Sequence, residues 1–516
     1  MPCSPRNGPP GARTSSDPTV SRRVTTRVVD QRELEDLLGP RDGIVLEREV
    51  GPGVFEAAEG PVWRYERRID AEPLRDGRFR VEESLTLEPA VPFLAPLFDR
   101  PLRRALGRGD RRPPWWAPPE RADARAMVAL WALAVASAIG GYLAGLLSNT
   151  ITFAGREFGE GAGAQGVAGV VVRFAGAVAL VLAAAAADRL GRRRVILGTV
   201  ALGSVLTATA AVTPSLPWLT ASQAVARPLA VALLICTSIQ AAEEMPAGSR
   251  AYAVSVIGLS AGLGGALAIG VLPLVDLAIW GWRLMYVLGL AGLLLLPFIA
   301  RQLPESRRFA APHPQAALAG HGRRFWLLAV SAMLISLLAA PASFFANRYL
   351  TVERGFSAAG ITLFAFVTGA PGILGVVVGG RLADLRGRRP VGAVAVAVST
   401  VMTALLYLSS GPPMWAWGVI GTVIGAASLP ALGVYGPELF PTSLRGRAGG
   451  LLALTGLVGS AAGLLIAGFL SDELGSLGPA IAALTVGPLA VAVLVLVAYP
   501  ETARRSLEEL NPEDRH

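Results

Sequence analysis

The sequence contains no lysine, so all 47 of its basic residues are arginine. Two cysteines, Cys3 and Cys236, exclude a disulfide framework and a cysteine-rich metal centre. Its three histidines, His313, His321 and His516, fall in expected loops or the tail, which argues against a histidine metal cage. Charge is scarce as well, at 16% of residues against roughly a quarter in soluble domains. No short apolar segment opens the chain, and no cleavable signal peptide is expected. Neither a nucleophile–base constellation nor a phosphate-cradling glycine loop can be assembled, so an enzyme is not expected and no cofactor or metal is implied.

What the chain has in place of charge is apolar length. It is 52% hydrophobic, with a mean hydropathy of +0.50. The charges crowd into the first 125 residues and into short clusters between apolar runs. Many runs reach the roughly 20 residues that cross a bilayer as a helix. The expected class is an all-α polytopic membrane protein whose lipid partner is the bilayer. Spans are expected near 126–149, 164–187, 194–212, 217–241, 251–273, 281–302, 325–349, 359–382, 390–409, 414–436, 447–470 and 478–499, which makes twelve. Glycine and alanine fill many of them, allowing close helix approach where no hydrophobic drive acts between helices.

The net charge of +9 could suggest nucleic acid, but the arginines flank the spans and topology accounts for them better. With a cytoplasmic N-terminus, the inner loops hold Arg189, Arg192, Arg193, Arg194, Arg250, Arg307, Arg308, Arg323, Arg324, Arg386, Arg388, Arg389, Arg445 and Arg447. The outer loops keep only Arg156 and Arg354, with Arg283 and Arg348 near span edges. The positive-inside rule therefore places both termini in the cytoplasm.

Ahead of the spans, residues 1–120 read as a cytosolic extension. Residues 1–40, rich in Pro, Ser and Arg, are expected to begin disordered, with a short helix over Gln31–Leu38. From Gly43 to Leu87 the pattern alternates, as in Val62-Trp63-Arg64-Tyr65-Glu66-Arg67, which predicts a few antiparallel strands. Ala90–Leu106 reads as an amphipathic helix, and Pro113–Pro119 as a stiff linker whose tryptophans suit the membrane interface. The extension resembles the terminal strands and helix of a START-like helix-grip domain, cut short; the plainer reading is a regulatory or stabilising cap.

Four sequence features recur at half-chain spacing. Asp188-Arg189-Leu190-Gly191-Arg192-Arg193 returns as Asp384-Leu385-Arg386-Gly387-Arg388-Arg389, with 384 − 188 = 196. Glu243, Pro246 and Arg250 return as Glu438, Pro441 and Arg445, with 438 − 243 = 195. Pro304-Glu305-Ser306 returns as Pro500-Glu501-Thr502, with 500 − 304 = 196, and an arginine pair follows each. The spans thus group as six plus six in parallel repeats. Bundles are expected over 121–303 and 325–510, joined by a cytoplasmic loop at 304–324, with a tail at 511–516.

On these motifs, the chain over about 126–510 resembles the major facilitator superfamily, and its sugar-porter and organic-acid branches in particular. The family's Gly-x-x-x-Asp-x-x-Gly-Arg-Arg pattern is complete at Gly380–Arg389, while the first copy has Ala184 for the leading glycine. Pro437-Glu438-Leu439-Phe440-Pro441-Thr442-Ser443-Leu444-Arg445-Gly446 is a sugar-porter-type mark. The resemblance implies a secondary transporter that moves a small organic solute by alternating access.

The repeated charges oppose their own helix dipoles: Asp188, Asp384, Glu243 and Glu438 end helices, while Arg250 and Arg445 begin them. Tertiary partners are therefore expected. The reading is a cytoplasmic gate of Asp188, Arg192, Arg193, Glu243, Arg250, Asp384, Arg388, Arg389, Glu438 and Arg445, against the plain alternative that the arginines only set topology. For substrate the candidates are the intramembrane polar residues Arg173, Arg227, Tyr142, Gln223 and Asn347, with Gln165, Asn149, Gln240 and Tyr407 weaker. Two buried arginines favour an organic anion; the alternatives for them are snorkelling for Arg173 and a structural tie for Arg227. No Asp or Glu lies well inside any expected span, which leaves a proton partner without an obvious carrier. Proton-coupled efflux of a drug or metabolite, sugar transport, and a transporter-like sensor signalling through the extension stand as alternatives. A functional monomer is expected.

Overall fold

The computed structural model describes residues 21–75, 77–90, 104, 117–118, 120–246, 249–305, 321–433, 435–440 and 445–502. These fall into two compact units, one within Met1–Val135, Thr237–Ser260 and Phe298–Arg308, the other within Ala136–Cys236, Ala261–Pro297 and Phe309–His516.

The first unit carries a five-stranded antiparallel sheet, in the order β1-β5-β4-β3-β2. Its strands are β1 (Ser21–Val29), β2 (Leu46–Gly51), β3 (Val54–Glu59), β4 (Val62–Pro73) and β5 (Phe79–Pro89). The helix α1 (Gln31–Leu38) forms where expected, opened by a capping box in which Asp30 Oδ1 accepts from the Glu33 amide at 2.8 Å. β1 forms within the stretch 1–40, whose first 20 residues lie outside the described ones. Its inward position Arg27 is charged, so no apolar alternation betrays a strand; Glu83, inward on β5, takes Arg27 at 2.7 Å and Arg41 at 2.8 Å. The expected Ala90–Leu106 helix lies, apart from Ala90 and Arg104, outside the described residues, as does most of the Pro113–Pro119 linker.

Beneath the sheet Arg67 and Glu47 form a wholly buried ion pair at 2.5 Å, with Arg67 Nε donating to the second carboxylate oxygen at 2.8 Å. Arg67 also donates to the Leu37 and Gly39 carbonyls at 2.7 and 2.9 Å and stacks 4.1 Å from the Phe55 ring centre. Tyr65 donates its hydroxyl to Glu47, and burial, reinforced by that carboxylate, holds the phenol well above its usual range. Every Arg67 nitrogen thus has a partner, the condition under which a buried charge is tolerated. In the same unit Arg121 pairs with Asp42, and Ser249 exchanges hydrogen bonds of 2.8 Å with the Glu120 backbone.

The helices that follow are α2 (Ala124–Phe158), α3 (Ala162–Leu190), α4 (Arg192–Ala208), α5 (Leu216–Glu244), α6 (Arg250–Gly270), α7 (Trp282–Leu288) and α8 (Ala291–Gln302). A second series has α9 (Gly322–Phe344), α10 (Ala346–Arg348), α11 (Ala358–Gly369), α12 (Gly372–Arg386), α13 (Arg388–Leu408), α14 (Pro412–Ala426), α15 (Ser428–Leu432), α16 (Tyr435–Leu439), α17 (Arg445–Leu474), α18 (Leu477–Ala483) and α19 (Val486–Ala498). Among the described residues 11 segments are long and apolar enough to cross a membrane, and α3 adds a helix of 29 residues.

Several expected spans prove to be two helices in series. The sixth breaks between α7 and α8 at Gly289-Leu290, and the eighth between α11 and α12 at Ala370-Pro371, where proline supplies no amide for the ladder. Hydropathy averages across such breaks, so the sequence reads them as continuous. The first span is longer than expected, running to Phe158 instead of residue 149.

Close approach explains much of the glycine. A Cβ at Gly141 would come within 2.0 Å of the Ala261 carbonyl, one at Gly264 within 1.9 Å of Ala138, and one at Gly459 within 2.0 Å of Met333. Backbones meet at these points, as membrane helices rich in small residues allow.

Candidate functional site

The two arginines sit at matching distances from the starts of their helices. Arg173 is eleven residues into α3 (173 − 162 = 11) and Arg227 eleven into α5 (227 − 216 = 11), or about 16 Å along each helix. They lie close enough for their charges to repel. Among the described residues no carboxylate pairs with either.

Arg173 reaches across to the second helix series. It donates through Nη1 to Ser460 Oγ, halfway along α17, and stands 5.7 Å from the Phe344 ring centre. Arg227 is held differently. Its Nη1 is buried without a hydrogen-bond partner, as is Nε2 of Gln223, a residue 1% exposed. Positions 223 and 227 are four apart on α5 and share one face. Pro228 follows directly, so the helix loses one ladder bond beside the arginine. Two buried donors without partners, one of them cationic, therefore lie on one face of α5. Buried donors without acceptors are rare and costly.

The remaining candidates are used by the protein itself. Tyr142 donates its hydroxyl to the Met285 carbonyl at 2.7 Å. Asn347 donates to the Asn149 carbonyl and side-chain oxygen at 3.0 and 3.3 Å. Of the weaker candidates, Gln165 donates to the Glu160 carbonyl at 3.2 Å, Gln240 to that of Pro304 at 2.7 Å, and the Tyr407 hydroxyl to that of Ala342. Sequence reading passed over Tyr286, whose buried hydroxyl lies 2.8 Å from Thr150 Oγ1 and within electrostatic range of Arg227. A tyrosine inside an apolar run was the available signal. Ser460 and Phe344 gave none, since a serine and a phenylalanine are ordinary in a span.

The repeated basic turns share one backbone geometry. Gly191 has φ 89° and ψ 146°, and Gly387 has φ 100° and ψ 147°, a region open in practice to glycine alone. After the second turn, Glu501 of the Pro-Glu-Thr motif caps α13, its carboxylate accepting from the Arg388 and Arg389 amides at 2.9 and 3.2 Å. Thr502 accepts from Arg388 at 3.0 Å, and Arg389 donates to the Leu496 carbonyl. Arg192 is buried, while Arg193, Glu243 and Arg250 are half-buried. The side chains of Asp188, Asp384, Glu438 and Arg445 lie outside what the structure describes.

The sequence model described as Major Facilitator Superfamily matches residues 130–426 and 328–515. The 3-(3-hydroxy-phenyl)propionate transporter of Escherichia coli is 29% identical over 296 residues, covering 55% of this chain and 71% of that protein. The gentisate transporter of Corynebacterium glutamicum is 25% identical over 340 residues, covering 61% and 74%. The chloramphenicol resistance protein of Streptomyces lividans is 29% identical over 392 residues, covering 72% and 95%. Among solved structures, the inward-open xylose transporter XylE of E. coli superposes with a TM-score of 0.62 at 15% identity, covering 74% of this chain and 98% of that one.

Proposed function

Because the chain belongs to the major facilitator superfamily, a family of membrane transporters and not of enzymes, we propose that it carries a small organic anion across the cytoplasmic membrane by alternating access. The proposed architecture is twelve spans in two six-helix bundles with both termini cytoplasmic, acting as a monomer. The observation that carries the anion is the pair of unsatisfied donors on α5, Arg227 Nη1 and Gln223 Nε2. A carboxylate accepts from both, and the flat guanidinium fork suits its two oxygens. Arg173 adds a second positive charge, and Tyr286, Tyr142 and Phe344 supply aromatic surface for the body of the solute. Relatives named for hydroxyphenylpropionate and gentisate support a carboxylate of this kind.

At the cytoplasmic face we assign the gate to Asp188, Arg192, Arg193, Glu243, Arg250, Asp384, Arg388, Arg389, Glu438 and Arg445, whose charges oppose their own helix ends. Neutralising Asp384 as Asp384→Asn raises the cytoplasmic accessibility of cysteine probes in this reading; unchanged accessibility with normal transport sinks it. A second reading, efflux of a drug or metabolite by proton antiport, is favoured by the coverage of the chloramphenicol resistance protein. Ligand binding by purified protein separates the two. Carboxylates bind in the first reading, with affinity falling roughly 30-fold or more in Arg227→Ala; neutral amphipathic compounds bind, indifferent to Arg227, in the second.

A further inference from the structure

We propose that Asp276 and Asp472 are a reciprocal pair of gating carboxylates on the face opposite the Gly-Arg-Arg turns, each closing that face by capping a helix of the other half. The inference rests on the alternating-access reading above and adds the residues that hold the outer side shut.

Asp472, near the end of α17, accepts from the Ala162 and Gly163 amides of α3 at 3.0 and 2.7 Å. Asp276, in the turn after α6, accepts from the Ala358 and Ala359 amides of α11 at 3.1 and 3.2 Å. An acid of the second helix series thus caps a helix of the first, and the reverse. The spacing is that of the internal repeat: 472 − 276 = 196, 358 − 162 = 196 and 359 − 163 = 196, matching 387 − 191 = 196 for the basic turns. The turns leading into the two capped helices repeat as well, with Gly159 at φ 74° and Gly355 at φ 69°. One carboxylate at one helix end could be chance. Two at equivalent positions, exchanged between halves, make a built device.

The chemistry is that of a helix N-terminus, whose first amides have no acceptor within the helix and whose dipole favours an anion. α11 has a side-chain cap of its own, with Ser357 Oγ accepting from the Gly360 amide at 3.1 Å. α3 begins after Gly161, which offers no side chain, so Asp472 is its cap. The packing beside each latch also corresponds. Thr362 of α11 donates to the Ile269 carbonyl of α6 at 2.9 Å. The equivalent residue on α3 is Gly166, where a Cβ would come within 2.8 Å of the Leu464 carbonyl, so the backbones themselves approach.

Because cap and helix belong to opposite halves, opening this face breaks both contacts together, while the cytoplasmic motions leave them intact. Both carboxylates are exposed, so water replaces the lost bonds on opening and the latches bias the equilibrium without locking it. A ligand or mutation shifts such an equilibrium only through contacts that differ between the states, and these do.

The test is a distance measurement on the full-length protein in nanodiscs, with Cys3→Ser and Cys236→Ser, and spin labels at Glu160→Cys and Glu473→Cys. Each of Asp276→Ala and Asp472→Ala shifts the ratio of open to closed distances about five-fold towards open, the effect of one lost cap. Together they shift it by roughly the product, about 25-fold, since the sites are separate. Gly163→Ala leaves every charge in place but puts a methyl 2.6 Å from the Asp472 carboxylate, and it reproduces the Asp472→Ala shift. A wild type that samples both distances, with a double variant that does not change their ratio, overturns the latch and leaves alternating access standing. One fixed distance in every sample, wild type included, overturns both.

Discussion

At the scale of single residues, the contrast between Arg67 and Arg227 is instructive. Both are arginines within apolar surroundings, yet Arg67 has Glu47, two carbonyls and a phenyl ring, whereas Arg227 retains a buried Nη1 with no acceptor. The first arrangement is complete and structural, and the second leaves a donor for the proposed ligand. Glu47→Ala leaves Arg67 as an unpaired buried charge, which costs about 3–5 kcal/mol. Hydrogen exchange on the full-length protein should then show lost amide protection across β2 and β4 with the membrane helices unaffected; intact protection would mean that the pair is not what holds the sheet. Arg227→Lys keeps the charge but loses the fork, so weakened carboxylate binding there, with folding preserved, separates recognition from simple charge attraction.

At the scale of elements, the joint between the Pro-Glu-Thr motif and the second basic turn makes the sharpest claim. Glu501→Ala removes the cap of α13, worth ~1 kcal/mol. Gly387→Ala meets two obstacles at once, a φ of 100° and a Cβ 2.7 Å from the Glu501 carboxylate, and the strained backbone alone costs about 1–3 kcal/mol. Thermal unfolding in detergent should rank Gly387→Ala below Glu501→Ala, and Gly436→Ala, where nothing lies within 4 Å, near wild type. Sequence alone showed that these motifs repeat, because charge clusters and glycines stand out against apolar runs. It did not show that Glu501 serves the turn 113 residues earlier, since local spacing says nothing about a partner so distant. β1 was hidden for a related reason: the partner of its inward Arg27 is Glu83 on the neighbouring strand β5, 56 residues away in sequence. The helix breaks at Gly289 and Ala370 were hidden because an interrupted span has the same hydropathy as a whole one. The two α5 donors were legible as candidates, while their lack of partners could emerge only from packing.

At the scale of the whole molecule, the chain reads as one helical unit repeated at an offset of 196, with a β-rich extension in front. The same offset governs the basic turns on one face and the exchanged carboxylate caps on the other. In the proposed carrier both gates therefore come in pairs. The α5 donors, the basic turns and the carboxylate caps all lie within the helical repeat, so deletion of residues 1–115 should preserve substrate-dependent flux in proteoliposomes; loss of output with binding intact would favour the sensor reading.

The central claim is that the buried donors of Arg227 and Gln223 take a carboxylate. The most direct measurement is the thermal shift of purified protein with aromatic carboxylic acids, the matching neutral amides and neutral sugars. The account predicts stabilisation by the acids, little by the amides or sugars, and loss of the acid effect in Arg227→Ala. Equal stabilisation by acid and amide, or an undiminished acid effect in Arg227→Ala, would contradict it.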